Sequence, residues 1–316
     1  MGIFEIVLII VAVLFAGGIA DFFKRRVMHK HKYAVFTMDV EAFTDTECVS
    51  QSKTPVDVDM LDGFDEYIKI LDRYGIKSTL FTVGKLAPKI ADRLKKYIRN
   101  GHELALHSYE HIAPMTVSVE SFREQTLKAK KMLGELFGRE ISGFRSPYFS
   151  IDGQRLDVLK ELGFKYDSSH LGFLKARHTV DLDLNGFRKL RDGVFCDNGF
   201  YEFELSKQKV FGQGYTVSGG GYVRLGNWEF IKSLIKKYIK ANDYYVFYLH
   251  PFELTHQKIP FLKDPKSYDK YYLKTGIASY GKHIEQIIQM LRKCGYTFVT
   301  FEELSEIMNE EARQTG

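Results

Sequence analysis

His107-Ser-Tyr-Glu-His111 follows the apolar run Leu104-Ala-Leu106. Two imidazoles four apart, where a buried strand gives way to a turn or helix, fall on one side of the backbone. That spacing lets both rings reach a single divalent ion, although it also arises by chance in ordinary surface segments. A third ligand is available in Tyr33-Ala-Val-Phe-Thr-Met-Asp39-Val-Glu41, a β-branched and aromatic run ending in two acids. Strand side chains alternate faces, so Asp39 and Glu41 point the same way. Two same-facing acids either run out into solvent or meet a cation, with one carboxylate binding it and the other left as a base.

These residues must be positioned by regular elements. From residue 33 onward the pattern alternates strands and helices, as in a parallel α/β fold. Helices are expected over 60–74, 86–98, 119–137, 156–162, 227–241 and 277–292. Strands are expected over 33–41, 77–83, 103–106, 143–148, 164–166, 244–249 and 296–301. Residues 170–225 break the rhythm and read as an inserted loop and hairpin region. About seven strand–helix units emerge, and Asp39, Glu41, His107, His111, Arg145 and His250 all fall at strand C-terminal ends. Parallel barrels assemble their sites on that face. Gly219-Gly-Gly221 suggests close backbone approach or a tight turn; no Gly-Lys-Ser/Thr follows to make a phosphate cradle.

The 316-residue chain has a formal charge of +5, and its three cysteines, Cys48, Cys196 and Cys294, are far apart. No Cys-x-x-Cys pattern exists, so a metal site must use histidine and carboxylate. Within residues 1–32, Lys24, Arg25, Arg26, Lys30 and Lys32 stand against Glu5 and Asp21, giving +3 and leaving only +2 elsewhere. No basic stripe marks the folded part, which argues against a nucleic-acid partner. Ile6 to Ala20 is apolar without a break, and residues 1–23 are expected to form one membrane helix followed by a basic linker, 24–32. The basic flank places the domain, 33–310, in the cytoplasm by the positive-inside rule. Unpaired thiols agree with a reducing compartment.

In that order, Asp39-Val-Glu41, His107-Ser-Tyr-Glu-His111, Phe144-Arg-Ser-Pro-Tyr148 and Tyr248-Leu-His250-Pro resemble the polysaccharide deacetylase family (NodB homology, carbohydrate esterase family 4) over roughly residues 33–305. Phe149-Ser-Ile151, Tyr166-Asp-Ser-Ser169, Ser218 to Leu225 and His250-Pro-Phe-Glu253 look like its exopolysaccharide-locus subgroup. The resemblance implies a distorted (β/α)7 barrel and a divalent metal, usually zinc, held by Glu41, His107 and His111. It further implies Asp39 as general base, His250 as general acid, and Arg145 holding Asp39 ionised. Asp167 would support protonated His250, and the backbone N–H of Tyr148 would face the developing oxyanion. Two departures stand out: the family's adjacent aspartates are here Asp-x-Glu, and its usual Trp near Asp167 is absent. The implied substrate is an N-acetylated glycan or a lipid-linked aminosugar. The motifs also admit an amidohydrolase acting on a small non-sugar amide, and a decayed barrel would leave a glycan-binding membrane protein.

Overall fold

The first strand organises the molecule. In a computed structural model describing residues 31–172, 182–210, 212–263 and 266–315, β1 (Lys32–Val40) has every residue from Ala34 to Val40 buried. A strand buried on both faces reads as a near-continuous apolar run rather than an alternating one. Its 33–38 segment pairs in parallel with β11 (Tyr244–Leu249), and its 36–40 segment with β2 (Ser78–Thr82). The sheet continues through β3 (Glu103–Leu106), β4 (Gly143–Phe144) and β5 (Tyr166–Asp167), all parallel. β12 (Tyr296–Val299) pairs with the start of β1.

Helices cover this sheet: α1 (Asp62–Arg73), α2 (Ala91–Arg99), α3 (Val119–Phe137), α4 (Gly153–Glu161), α5 (Gly220–Arg224), α6 (Trp228–Ala241), α7 (Ser267–Lys274), α8 (Ile277–Lys293) and α9 (Phe301–Thr315). Their ends follow local chemistry. Ser118, Asp152 and Asn227 accept the backbone N–H three residues on, capping α3, α4 and α6, and Gly138 closes α3 at φ 63°.

Residues 170–225 are read from the sequence as an inserted loop and hairpin region, and their described part from 182 onward extends the sheet. β6 (Arg188–Arg191), β7 (Val194–Asp197) and β8 (Phe200–Phe203) form an antiparallel meander, and β8 lies parallel beside β5. β9 (Lys207–Val210) and β10 (Gln213–Thr216) make a separate hairpin. The result is a curled α/β half-barrel running from β11 to β6 among the described residues. No described helix is long and apolar enough to cross a membrane, and the expected span 1–23 and most of the linker 24–32 lie outside the described residues.

Candidate active site

Parallel register brings the chemistry together. Met38 opposite Leu249 puts Asp39 beside His250 at the next position, and Leu106 opposite Phe144 does the same for His107 and Arg145. One ligand atom from each of Glu41, His107 and His111 lies within 4.8 Å of the others, and all three residues are buried. The His107 Nδ1 contacts the Arg145 carbonyl at 2.8 Å, which turns Nε2 inward. The two imidazoles converge through a loop rather than on a helix face. His111 has φ 59° and Ser108 φ 61°, and the Ser108 hydroxyl accepts the His111 N–H at 3.0 Å. Such left-handed backbone costs about 1–3 kcal/mol per residue and persists where the surroundings enforce it. Here Gly84 N–H and Lys85 N–H donate to the carbonyls of Ser108 and Tyr109.

Several features fit a bound cation. The Glu41 Oε2 lies 2.6 Å from His111 Nε2 and 3.7 Å from His107 Nε2, yet it is buried without a directed hydrogen bond. His111 Nδ1 is likewise buried without a hydrogen-bond partner. Burial works to raise the Glu41 carboxyl, but the imidazoles of His111, His250 and His107 hold it down at about 2. Burial first, and His111 beside it, push His107 down to about 4, in its neutral ligand form. Two imidazoles and one carboxylate make a donor set of the catalytic zinc kind.

Asp39 and His250 flank this cluster. Asp39 Oδ1 accepts from Arg145 Nη1 at 2.8 Å, while Oδ2 lies 3.9 Å from His250 Nε2. Arg145 is fully buried and also donates to Thr37 Oγ1 at 2.8 Å and to the Ser168 carbonyl and hydroxyl at 3.0 Å. Phe81 covers the guanidinium at 4.2 Å. The Tyr148 ring packs edge-on against His111 with centroids 4.9 Å apart, and its backbone is held at φ 57°.

Asp167 does not take the place expected of it. It lies in register with Glu202 of β8, and its carboxylate accepts from the Ser169 N–H and hydroxyl at 2.9 and 2.8 Å. Burial first, and repulsion from Asp167, raise Glu202 well above the ordinary carboxylate range. The carboxylate on His250 is Glu253. Its Oε2 meets His250 Nδ1 at 3.2 Å and the His250 backbone N–H at 3.0 Å. Its Oε1 accepts from Arg224 Nε at 2.8 Å. Burial works to lower His250, yet Glu41, Glu253 and Asp39 raise it to about 9. Glu253 was legible as a capping residue, since Pro251 at the first position of a turn and an acid at the third form a capping pattern. Nothing in the spacing alone paired it with Arg224.

Known proteins share part of this sequence and its fold. Residues 56–166 match the family described as polysaccharide deacetylase, and residues 178–304 match a domain of unknown function, DUF3473. The chain is 25% identical over 107 residues to a peptidoglycan deacetylase of Helicobacter pylori, which covers 34% of this chain and 36% of that one. It is 30% identical over 99 residues to a peptidoglycan-N-acetylglucosamine deacetylase of Bacillus cereus, covering 30% and 36%. The chain thus spans about a third of the length of these curated relatives. A solved Mycobacterium smegmatis protein named as a polysaccharide deacetylase superposes with a TM-score of 0.55 at 16% identity, over 90% of this chain and 93% of that one. BA3943 of Bacillus anthracis, a pseudoenzyme of carbohydrate esterase family 4, gives 0.50 at 13% identity over 87% and 66%. Residues 56–166 of the chain thus carry a polysaccharide deacetylase domain of the NodB-homology family. A pseudoenzyme on the same fold means that activity must be argued from the residues.

Proposed function

We propose that the chain is a metal-dependent N-deacetylase that removes acetyl groups from N-acetylated sugars of a surface polysaccharide or its lipid-linked precursor. The observation that carries this reading is the convergence of Glu41, His107 and His111 within 4.8 Å, beside an Arg-held Asp39 that faces His250. A divalent ion held by those three residues, zinc before others, would supply Lewis acidity toward water and the acyl carbonyl.

The chain's own groups divide the proton work. Asp39 has one oxygen occupied by Arg145, so its other oxygen takes the proton of the attacking water. The water oxygen joins the acyl carbon and the carbon–nitrogen bond breaks. The sugar nitrogen cannot leave as an anion, and His250, raised to about 9 and therefore cationic at neutral pH, donates its Nε2 proton. Only His250 of these groups is appreciably exposed, its side chain at 18%, which suits contact with an entering substrate. The Tyr148 backbone N–H would face the oxyanion.

The basic residues that follow the apolar stretch support a single membrane helix over 1–23, with a cytoplasmic domain folded as a distorted (β/α)7 barrel. That side of the membrane favours the lipid-linked precursor. Acetate release from lipid-linked N-acetyl aminosugars and from free chito-oligosaccharides tests the proposal. Release should cease on chelation and return with zinc. Asp39→Asn should lower kcat by about 10²–10⁴-fold, and His107→Ala should lose bound zinc. Undiminished turnover in both variants would refute the reading.

A further inference from the structure

The segment matched as a domain of unknown function contains a buried ion pair directly behind His250. Arg224 and Glu253 are both fully buried, and Arg224 Nε donates to Glu253 Oε1 at 2.8 Å. Arg224 is fixed from behind by the Tyr272 carbonyl at 2.7 Å and by the Thr275 carbonyl. Glu253's other oxygen is turned to His250, on the side of the ring away from Asp39. A buried ion pair is a poor source of stability, because desolvation offsets most of its attraction. Its place directly behind an imidazole gives it a different use: a carboxylate on Nδ1 fixes a ring's tautomer and orientation.

We infer that Glu253 and Arg224 are positioning residues for His250, holding its Nε2 toward the substrate, so that residues 178–304 supply the acid half of the catalytic centre. The inference rests on the hydrolase reading above. Chain geometry explains how the pair forms. Gly219 bridges to Tyr248 of β11, the strand that ends at His250, and a Cβ at Gly219 would lie 2.2 Å from the Tyr248 carbonyl. The bare backbone thus lets α5 lie against β11, and Arg224 ends that helix. The charged groups facing His250 are Asp39 and Glu41 from the end of β1, and Glu253 from its own turn with Arg224 behind it. The pair occupies the role that the family pattern would have given to Asp167, which is engaged with Ser169 and Glu202.

Glu253→Gln separates positioning from simple turn capping, because the amide keeps an acceptor for the His250 backbone N–H but loses the charge. In the zinc-loaded full chain, kcat should fall at least tenfold with KM within twofold of the parent, and Glu253→Asp should recover part of it. Selective ¹⁵N-histidine spectra, with His250 assigned by its loss in His250→Asn, should show the downfield Nδ1–H resonance displaced in Glu253→Gln. Should that variant not fold, Arg224→Lys carries the same readouts, with an expected kcat loss of at least threefold. A folded variant with parental kcat and an unmoved Nδ1–H resonance overturns the inference. Absence of acetate release from the parent protein would sink the hydrolase reading instead, and the resonance would still decide whether the pair holds the ring.

Discussion

Asp39 lies where almost no water reaches it, at 1% exposure, and its ion pair with Arg145 makes that burial tolerable. The guanidinium uses its planar fork to join Asp39, Thr37 and Ser168 at once, which a lysine ammonium cannot reproduce. Arg145→Met should therefore destabilise by about 3–5 kcal/mol, the cost of stranding a buried partner. Asp39→Asn in the same chain should restore part of that loss, as coupled residues do. Urea unfolding of the two single variants and the double variant measures the coupling; strictly additive losses would show that Arg145 acts elsewhere. The acid pair and the histidine pair were legible in the sequence as closely spaced groups at strand ends, although a turn at Glu41 and left-handed backbone at Ser108 and His111 set their final directions. The partner of His250 was not. Asp167 occupies the strand position that a family pattern suggests, but its register opposite Glu202 is set by a sheet pairing that no local spacing reveals.

Elements repeat the lesson at larger size. The helix over Val119–Phe137 was readable to its ends, since apolar periodicity, a serine cap and a closing glycine all agree. The region 170–225 was not, because short strands of mixed polarity such as Arg188–Arg191 carry no clear period and gain their pairing from a neighbour, here β7. The glycine run at 219–221 was read as close approach or a tight turn, and what Gly219 approaches lies in β11. Gly219 has φ 114°, and a Cβ there meets backbone rather than a flexible side chain. Gly219→Ala should accordingly destabilise by about 1–3 kcal/mol through overpacking, with backbone strain added. It should also lower kcat by moving α5 away from β11. Gly153→Ala, at the start of α4 with nothing within 4 Å, should be neutral or stabilising by up to about 1 kcal/mol. Thermal melts of the two variants settle this: equal Tm shifts would mean that α5 does not depend on the approach.

Across the whole molecule, two buried groups far from the proposed chemistry give stability opposite pH slopes. Glu103 opens β3, and burial raises it to about 7 although Thr79, Tyr166 and the Glu302 N–H all bond to it. Its folded pKa exceeds the ordinary value of 4.5, so its contribution is complete below 4.5 and is lost as pH rises through 7. His102 runs the other way. Burial and Lys77 push it down to about 4 from 6.5, so its contribution is present above 6.5 and is lost as pH falls through 4. Between pH 4.5 and 6.5 the unfolded chain holds a proton on His102 that the folded chain lacks, and the folded chain holds one on Glu103 that the unfolded chain lacks. These two contributions cancel, leaving a nearly flat stability profile from this pair. Glu103→Gln fits the site, since its amide oxygen can accept from Thr79 and Glu302 while its nitrogen donates to Tyr166. That variant should expose the histidine slope, with unfolding free energy rising by up to about 1.4 kcal/mol per pH unit across the window. Urea titrations at half-unit intervals from pH 4.5 to 8 test it. A parent and a Glu103→Gln variant with parallel profiles would mean that Glu103 is ionised in the folded protein throughout, and that its three donors outweigh its burial.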